Sequence, residues 1–354
     1  MDEARGTGLQ GGDSVTHETQ SPADPGTAES SGEGKRGWLR SKWPRLLVSA
    51  ALLAFVISRI DRRELGSILA GMDLYLLAMA QLANFCMISL NALRWWVMLR
   101  AQGTPVSLPL AIYYYFFGAF FNSFMPTSIG GDLIRVISVS EHTGRKSVAL
   151  ASVVVERLLG FFTLVPLGLV GIALTFRDFQ SPRVLLAIEL AAMAVFALVG
   201  ILLNERVAMG VLRLLRPLLS RIPKMNVEEK LRLVYDAVNL YGRKRRVLAA
   251  GFAISLLSRA VWIFGWYLVA MGLGLHQVTL ARLFTVIPLV ELARMAPISL
   301  GGIGVREGAF AALMSQFGVA TTPAIVLSFL FYFLSVVNGL VGGGLYLGRT
   351  FVKR

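Results

Sequence analysis

Ten ionisable residues stand in or beside long apolar stretches: Arg94, Asp132, Arg135, Glu156, Arg157, Arg259, Glu291, Arg294, Arg306 and Glu307. Insertion scales charge roughly 2.5–3.5 kcal/mol for one such residue at the centre of a membrane helix. A set of this size therefore predicts ion pairing or a polar cavity. Asp132 with Arg135, and Glu291 with Arg294, are three apart and can pair along one helix face. Glu156 and Arg157 are enclosed by apolar residues at 153–155 and 158–162. Arginines suit bidentate contact with phosphate, and carboxylates suit a cationic group or a proton relay. The plainer reading is that the pairs only lock helices together.

Two of these arginines close the same short string. Pro126, Ser128, Gly130, Gly131 and Arg135 recur in register as Pro297, Ser299, Gly301, Gly302 and Arg306, giving P-x-S-x-G-G-x-x-x-R twice. Proline ends a helix and paired glycines permit a tight backbone path, so each string predicts an unwound segment. Unwound backbone at membrane depth must be buried in protein or line a wet cavity. The helix that follows, from about Asp132 or Ile303, would point N–H groups and a positive dipole end into that cavity, where phosphate or carboxylate binds. Alternatively each string is a kinked hairpin whose arginine snorkels to the headgroups.

The elements that carry these residues are spanning helices. The chain has 354 residues, 55% hydrophobic and 16% charged, with a mean hydropathy of +0.64. A soluble domain is nearer a quarter charged. Apolar runs at 46–60, 74–90, 148–176, 184–203, 247–273 and 324–347 approach or exceed the roughly 20 residues a spanning helix needs. Stretches 108–140 and 280–317 are apolar but interrupted, and each predicts a broken re-entrant hairpin. The expected fold is an all-α polytopic membrane protein of about six full spans plus two broken hairpins. No β-barrel is indicated, since a barrel shows alternating segments of about ten residues.

Each half then reads as helix, broken hairpin, helix: about 74–176 and about 247–350. Arg94 with Trp95 and Trp96 precedes the first string, and Arg259 with Trp262 the second. Residues 1–36, poor in large apolar side chains, predict a disordered cytoplasmic tail, and 37–354 a single transmembrane domain. A basic cluster follows the tail and no small-residue cleavage site closes the first span, so a signal peptide is not expected. The net charge of +14 concentrates at span ends and in segment 204–246, where 209–219 reads as an amphipathic surface helix. The positive-inside rule then places both termini in the cytoplasm of a bacterial- or archaeal-type inner membrane. Counting crossings, the two halves run in opposite senses, the inverted-repeat plan of many transporters.

Other residues carry less. Gln81, Asn84 and Asn91 extend the Arg94 position into a polar stripe suited to interhelical hydrogen bonds or cavity lining. Residues 113–117 with Phe120, Phe121 and Phe124 form an aromatic cluster suited to packing, interfacial anchoring or contact with an acyl chain. Cys86 and three scattered histidines offer neither a disulfide framework nor metal spacing, and no cofactor is expected. A nucleic-acid partner is not expected. No G-x-S-x-G, Walker-type or H-E-x-x-H motif is present. Catalysis is therefore not the leading reading, although a transferase using Asp132 or Glu156 as a base is the alternative. Without an ATP motif, any movement of a substrate would be downhill or ion-coupled.

The string from Asn122 to Arg135, Glu156-Arg157 after Val155, and Pro297 to Glu307 resemble the transmembrane region of lysylphosphatidylglycerol synthase/flippase proteins and their stand-alone relatives. The resemblance runs over about residues 40–350. It implies a lipid-translocating membrane domain, with membrane lipids of anionic or polyprenyl-phosphate type as partners. Two-part members carry a C-terminal soluble aminoacyl-transferase domain; the chain here runs to Arg354, so lysyl transfer is not implied. Some relatives sit beside glycosyltransferases acting on polyprenyl carriers, which makes a lipid-modifying transferase the other partner to expect. The substrate-binding set is then the ten charged residues with Asn122, Ser128, Gly130, Gly131, Ser299, Gly301 and Gly302. In it Arg135, Arg306 and the helix ends after Gly131 and Gly302 hold the phosphate. Asp132, Glu156 and Glu307 hold a cationic headgroup part or relay protons.

Overall fold

The computed structural model describes residues 43–124, 130–178, 239–295, 299 and 302–352, with 190, 193, 194, 236 and 237 besides. Outside them lie the expected tail, nearly all of the 184–203 span, the surface helix at 209–219 with most of the basic segment, and the string residues Ser128 and Gly301. The chain divides into two compact units, Met1–Pro44 and Arg45–Arg354; the second holds the bundle.

All regular structure among the described residues is helical. In chain order the helices are α1 (Trp43–Ser58), α2 (Arg62–Ala70), α3 (Leu74–Ala101), α4 (Leu108–Phe124), α5 (Gly130–Thr143), α6 (Lys146–Phe162), α7 (Leu164–Thr175), α8 (Arg245–Gly272), α9 (Leu280–Met295), α10 (Val305–Ser315) and α11 (Thr321–Val352). Asp61 and Asp73 cap α2 and α3, each side chain accepting from two backbone N–H groups of the first turn. Four segments are long and apolar enough to cross a bilayer: α3, α6 with α7, α8, and α11 as far as Gly348. They coincide with four of the six expected spans. A fifth, 46–60, is the 16-residue α1, about 24 Å long at 1.5 Å per residue and at the short limit for a full crossing. The two interrupted stretches each hold two helices, α4 and α5 in the first and α9 and α10 in the second.

The halves interlock. Helices α3 and α8, each of 28 residues, lie side by side and antiparallel. The Asp73 N–H at the start of α3 donates to the Gly272 carbonyl at the end of α8 over 2.8 Å. Further along, Ser258 donates to Asn91 over 2.8 Å, and near the other end Arg94 donates to Ser255 over 2.7 Å. The first helix of each hairpin packs on the closing span of the other half: α4 on α11, and α9 on α7. Helices α3 and α8 start 171 residues apart (245 − 74), the same offset as Pro126 and Pro297 (297 − 126).

Two glycines repeat at that offset too. A Cβ on Gly171 would lie 2.3 Å from the backbone nitrogen of Thr285 in α9, and one on Gly342 would lie 1.9 Å from the Phe116 carbonyl in α4. Each lets the hairpin helix of the opposite half reach backbone contact, as small residues do at helix interfaces in lipid. Trp266, Phe310 and Phe331 centre the largest apolar cluster, with Trp266 stacked on Phe331 at 4.4 Å. Leu74, Leu82, Leu174, Leu257, Phe333 and Leu340 are exposed on the outside, an apolar exterior that lipid would cover. The chain is an all-α polytopic membrane protein.

Candidate functional site

Glu156, on α6 and 1% exposed, is the hub of a buried ionic network. One carboxylate oxygen accepts from Arg94 of α3 over 2.7 Å and from the Tyr115 hydroxyl of α4 over 2.8 Å. The other accepts from Arg135 of α5 over 2.7 Å. Arg135 also donates to Asp132 one turn back, and Asp132 takes a second donor from Arg157. The Arg135 guanidinium lies over the Tyr115 ring at 4.2 Å and the Trp95 ring at 5.0 Å. Four helices, α3, α4, α5 and α6, are thereby tied by one carboxylate, two guanidiniums and a phenol hydroxyl. Buried charges persist only when paired and hydrogen-bonded in this way.

The network forms one wall of a cavity of about 310 Å³. The second half contributes Ser258, Arg259 and Trp262 on α8 to its lining. Met87 and Ser258, themselves 171 residues apart (258 − 87), both line it and touch, the Ser258 hydroxyl donating to the Met87 carbonyl over 3.3 Å. The cavity thus lies where the halves meet. Arg259 is held less tightly than the other lining cations. Its guanidinium stacks over Trp262 at 5.3 Å and reaches Glu291 only at 4.0 Å.

Glu291 leads to a second cluster, around the second string. It accepts from Arg294 over 2.6 Å, while Arg306 pairs with Glu307 and lies over the Tyr332 ring at 4.5 Å. Glu307 also accepts from the Gly304 N–H over 2.7 Å. That bond has its counterpart in the first string, where the Gly131 N–H donates to the Asn122 amide oxygen over 2.8 Å. One N–H at each helix start is therefore already taken by the protein's own side chain, and so is not the bare donor that the strings suggest. Gly131 also lies against α4, where a Cβ would be 2.0 Å from the Gly118 carbonyl.

Both i,i+3 pairs read from the sequence form, Asp132 with Arg135 and Glu291 with Arg294. Arg94, Asn122, Asp132, Arg135, Glu156, Arg157 and Arg259 meet at the cavity. Gly130 and Gly131 stand buried at the start of α5 behind it. Glu291, Arg294, Ser299, Gly302, Arg306 and Glu307 do not line it and belong to the second string's surroundings; Gly302 takes a left-handed φ of 77°. The polar stripe makes interhelical bonds, Gln81 to Asn338 at 2.6 Å and Asn91 with Ser258 at 2.8 Å. Tyr115 and Ser255 were not singled out by sequence. Tyr115 hides within an aromatic run, and its partner lies 41 residues away. Replacing it tests the network lightly: Tyr115→Phe removes one charge-assisted hydrogen bond, an expected loss of about 1.5–3 kcal/mol readable as a lower unfolding temperature in detergent.

A polytopic helical membrane protein with a buried ionic network beside a cavity where its two halves meet is thus defined. Residues 43–343 match the family described as the lysylphosphatidylglycerol synthase TM region, and the chain belongs to that family. It is 26% identical over 275 residues to a UPF0104 membrane protein of Methanothermobacter thermautotrophicus, covering 71% of this chain and 76% of that one. A second UPF0104 membrane protein of the same organism is 24% identical over 296 residues, covering 78% and 85%. Glycosyltransferase AglD of Haloferax volcanii is 24% identical over 321 residues, covering 80% of this chain but 50% of AglD. No solved structure matches.

Proposed function

We propose that this protein carries the phosphate-bearing headgroup of a lipid, a phospholipid or a polyprenyl-phosphate-linked one, across the bilayer. The observation that supports this reading is the cavity between the halves, lined by four guanidiniums and two carboxylates. Inverted repeats with a polar site at their junction suit alternating exposure of that site to the two membrane faces. The headgroup occupies the cavity while the chains stay in lipid. Arg259 is its first contact, because a phosphate need only displace a 4.0 Å pairing to claim that guanidinium. Arg94 and Arg135 position the site through Glu156.

The test is headgroup movement in proteoliposomes, using fluorescent anionic phospholipids and a polyprenyl-phosphate sugar. Wild type is expected to move at least one of them faster than protein-free vesicles. Arg259→Ala is expected to lower that rate by roughly tenfold or more with its unfolding temperature nearly unchanged. No movement of any lipid by folded wild-type protein overturns the reading. One observation favours a second one, the match to half of a protein named a glycosyltransferase: the domain then serves as membrane partner of a lipid glycosyltransferase. Donor-dependent glycosyl transfer, gained when that enzyme is added, would distinguish it.

A further inference from the structure

We infer that the cavity selects a phosphate dianion, a phosphomonoester or diphosphate, over a singly charged phosphodiester or a cationic headgroup. The inference rests on reading this cavity as a headgroup site, and it follows from the charges on the wall. Arg94, Arg135, Arg157 and Arg259 face it with Asp132 and Glu156, four positive charges against two negative, leaving +2. Among the described residues the next charges outward keep that excess, because Arg294 with Glu291 and Arg306 with Glu307 add two of each sign. Arg94, Arg135, Asp132 and Glu156 are buried, so salt screens this wall less than it screens surface charge. A dianion closes the balance. A phosphodiester leaves one positive charge over, and a headgroup carrying an added amine leaves two or more.

Shape agrees with charge. About 310 Å³ is at the small end of ligand cavities, room for a headgroup without its chains. Asp132 and Glu156 are occupied by Arg135, Arg157 and Arg94, so neither is left to hold an amine. Arg259 supplies a planar fork at the wall, braced by Trp262, and such a fork matches two phosphate oxygens. A lipid or a soluble ester can present the same dianion, and the experiment separates them.

Binding comes first, on purified protein in mixed micelles, with dioleoyl phosphatidic acid, dioleoyl phosphatidylglycerol and lysyl-phosphatidylglycerol as probes and inorganic phosphate as the soluble arm. At pH 8 phosphatidic acid is expected to bind about tenfold or more tighter than phosphatidylglycerol, with lysyl-phosphatidylglycerol weakest. A phosphomonoester dianion takes up one proton near pH 6, so the advantage should shrink at pH 5.5. The groups facing the ligand are four arginines, two carboxylates and Tyr115, with no histidine among the lining residues; phosphatidylglycerol serves as the control for any titration of theirs. Arg259→Gln lowers the excess to +1 and should bring the two affinities towards equality, a change of ratio that a merely structural role would not produce.

Equal affinities, or preference for either of the other two lipids, overturn the inference. Inorganic phosphate binding without phosphatidic acid binding keeps the dianion and assigns it to a soluble phosphate. The same lipids in the vesicle assay separate this inference from the transport reading. Selective binding without movement keeps the dianion and removes translocation, whereas movement of all three lipids alike keeps translocation and removes the dianion.

Discussion

Glu156→Ala is expected to leave the protein unable to accumulate, or to lower its stability by roughly 3–5 kcal/mol, the usual cost of removing one partner from a buried ion pair. The size follows from what remains. Arg94 and Arg135, both buried, would face each other without the carboxylate that both now contact at 2.7 Å, and Tyr115 would lose its acceptor. Thermal unfolding in detergent and membrane yield both read this. Adding Arg94→Met should recover part of the loss, since one uncompensated charge then goes with its partner. If Glu156→Ala alone melts like wild type, the network is not what ties α3, α4, α5 and α6 together. Glu156→Gln should be milder, because an amide still offers one acceptor oxygen.

Why was the hub visible in the sequence while its geometry was not? A carboxylate in a run of valines and leucines is rare enough in lipid to announce a role. The i,i+3 pairs were legible for the same reason, because helix periodicity fixes which neighbours meet. The partners of Glu156 are not fixed by periodicity. Arg94 is 62 residues away and Tyr115 is 41, and only the packing of α3, α4 and α6 decides that they converge. The sequence offers both repeated arginines as phosphate ligands, yet Arg135 meets two carboxylates and two aromatic rings. Arg259, upstream of the second string, carries the weaker pairing. The distinction is one of competition for a cation, and composition cannot express it. The helix starts follow a related logic. Asn122 and Glu307 take donors there, and a side chain nine residues upstream leaves no periodic trace.

The repeat itself makes the second large prediction. Gly171→Val and Gly342→Val are expected to destabilise the protein to a similar extent, each by about 1–3 kcal/mol or more, as overpacking does in close-packed interiors. The obstacle at both sites is backbone, which cannot rotate aside as a long side chain can. Phe284 and Thr285 of α9 stand within 2.6 Å of a Cβ on Gly171, and the Phe116 carbonyl of α4 within 1.9 Å of one on Gly342. Gly344, in the same helix as Gly342, meets nothing within 4 Å of an added Cβ, so Gly344→Val supplies the control and should cost little or nothing, since valine forms helix more readily than glycine. Unfolding temperatures of the three variants in one detergent decide the matter. Two large, matched losses beside a small one would mean that the 171-residue offset is an energetic symmetry, with each half holding the other's hairpin by the same contact. A large loss at one glycine alone would mean that the halves share a plan but no longer share the load. The cavity at their junction would then have one rigid wall and one able to move.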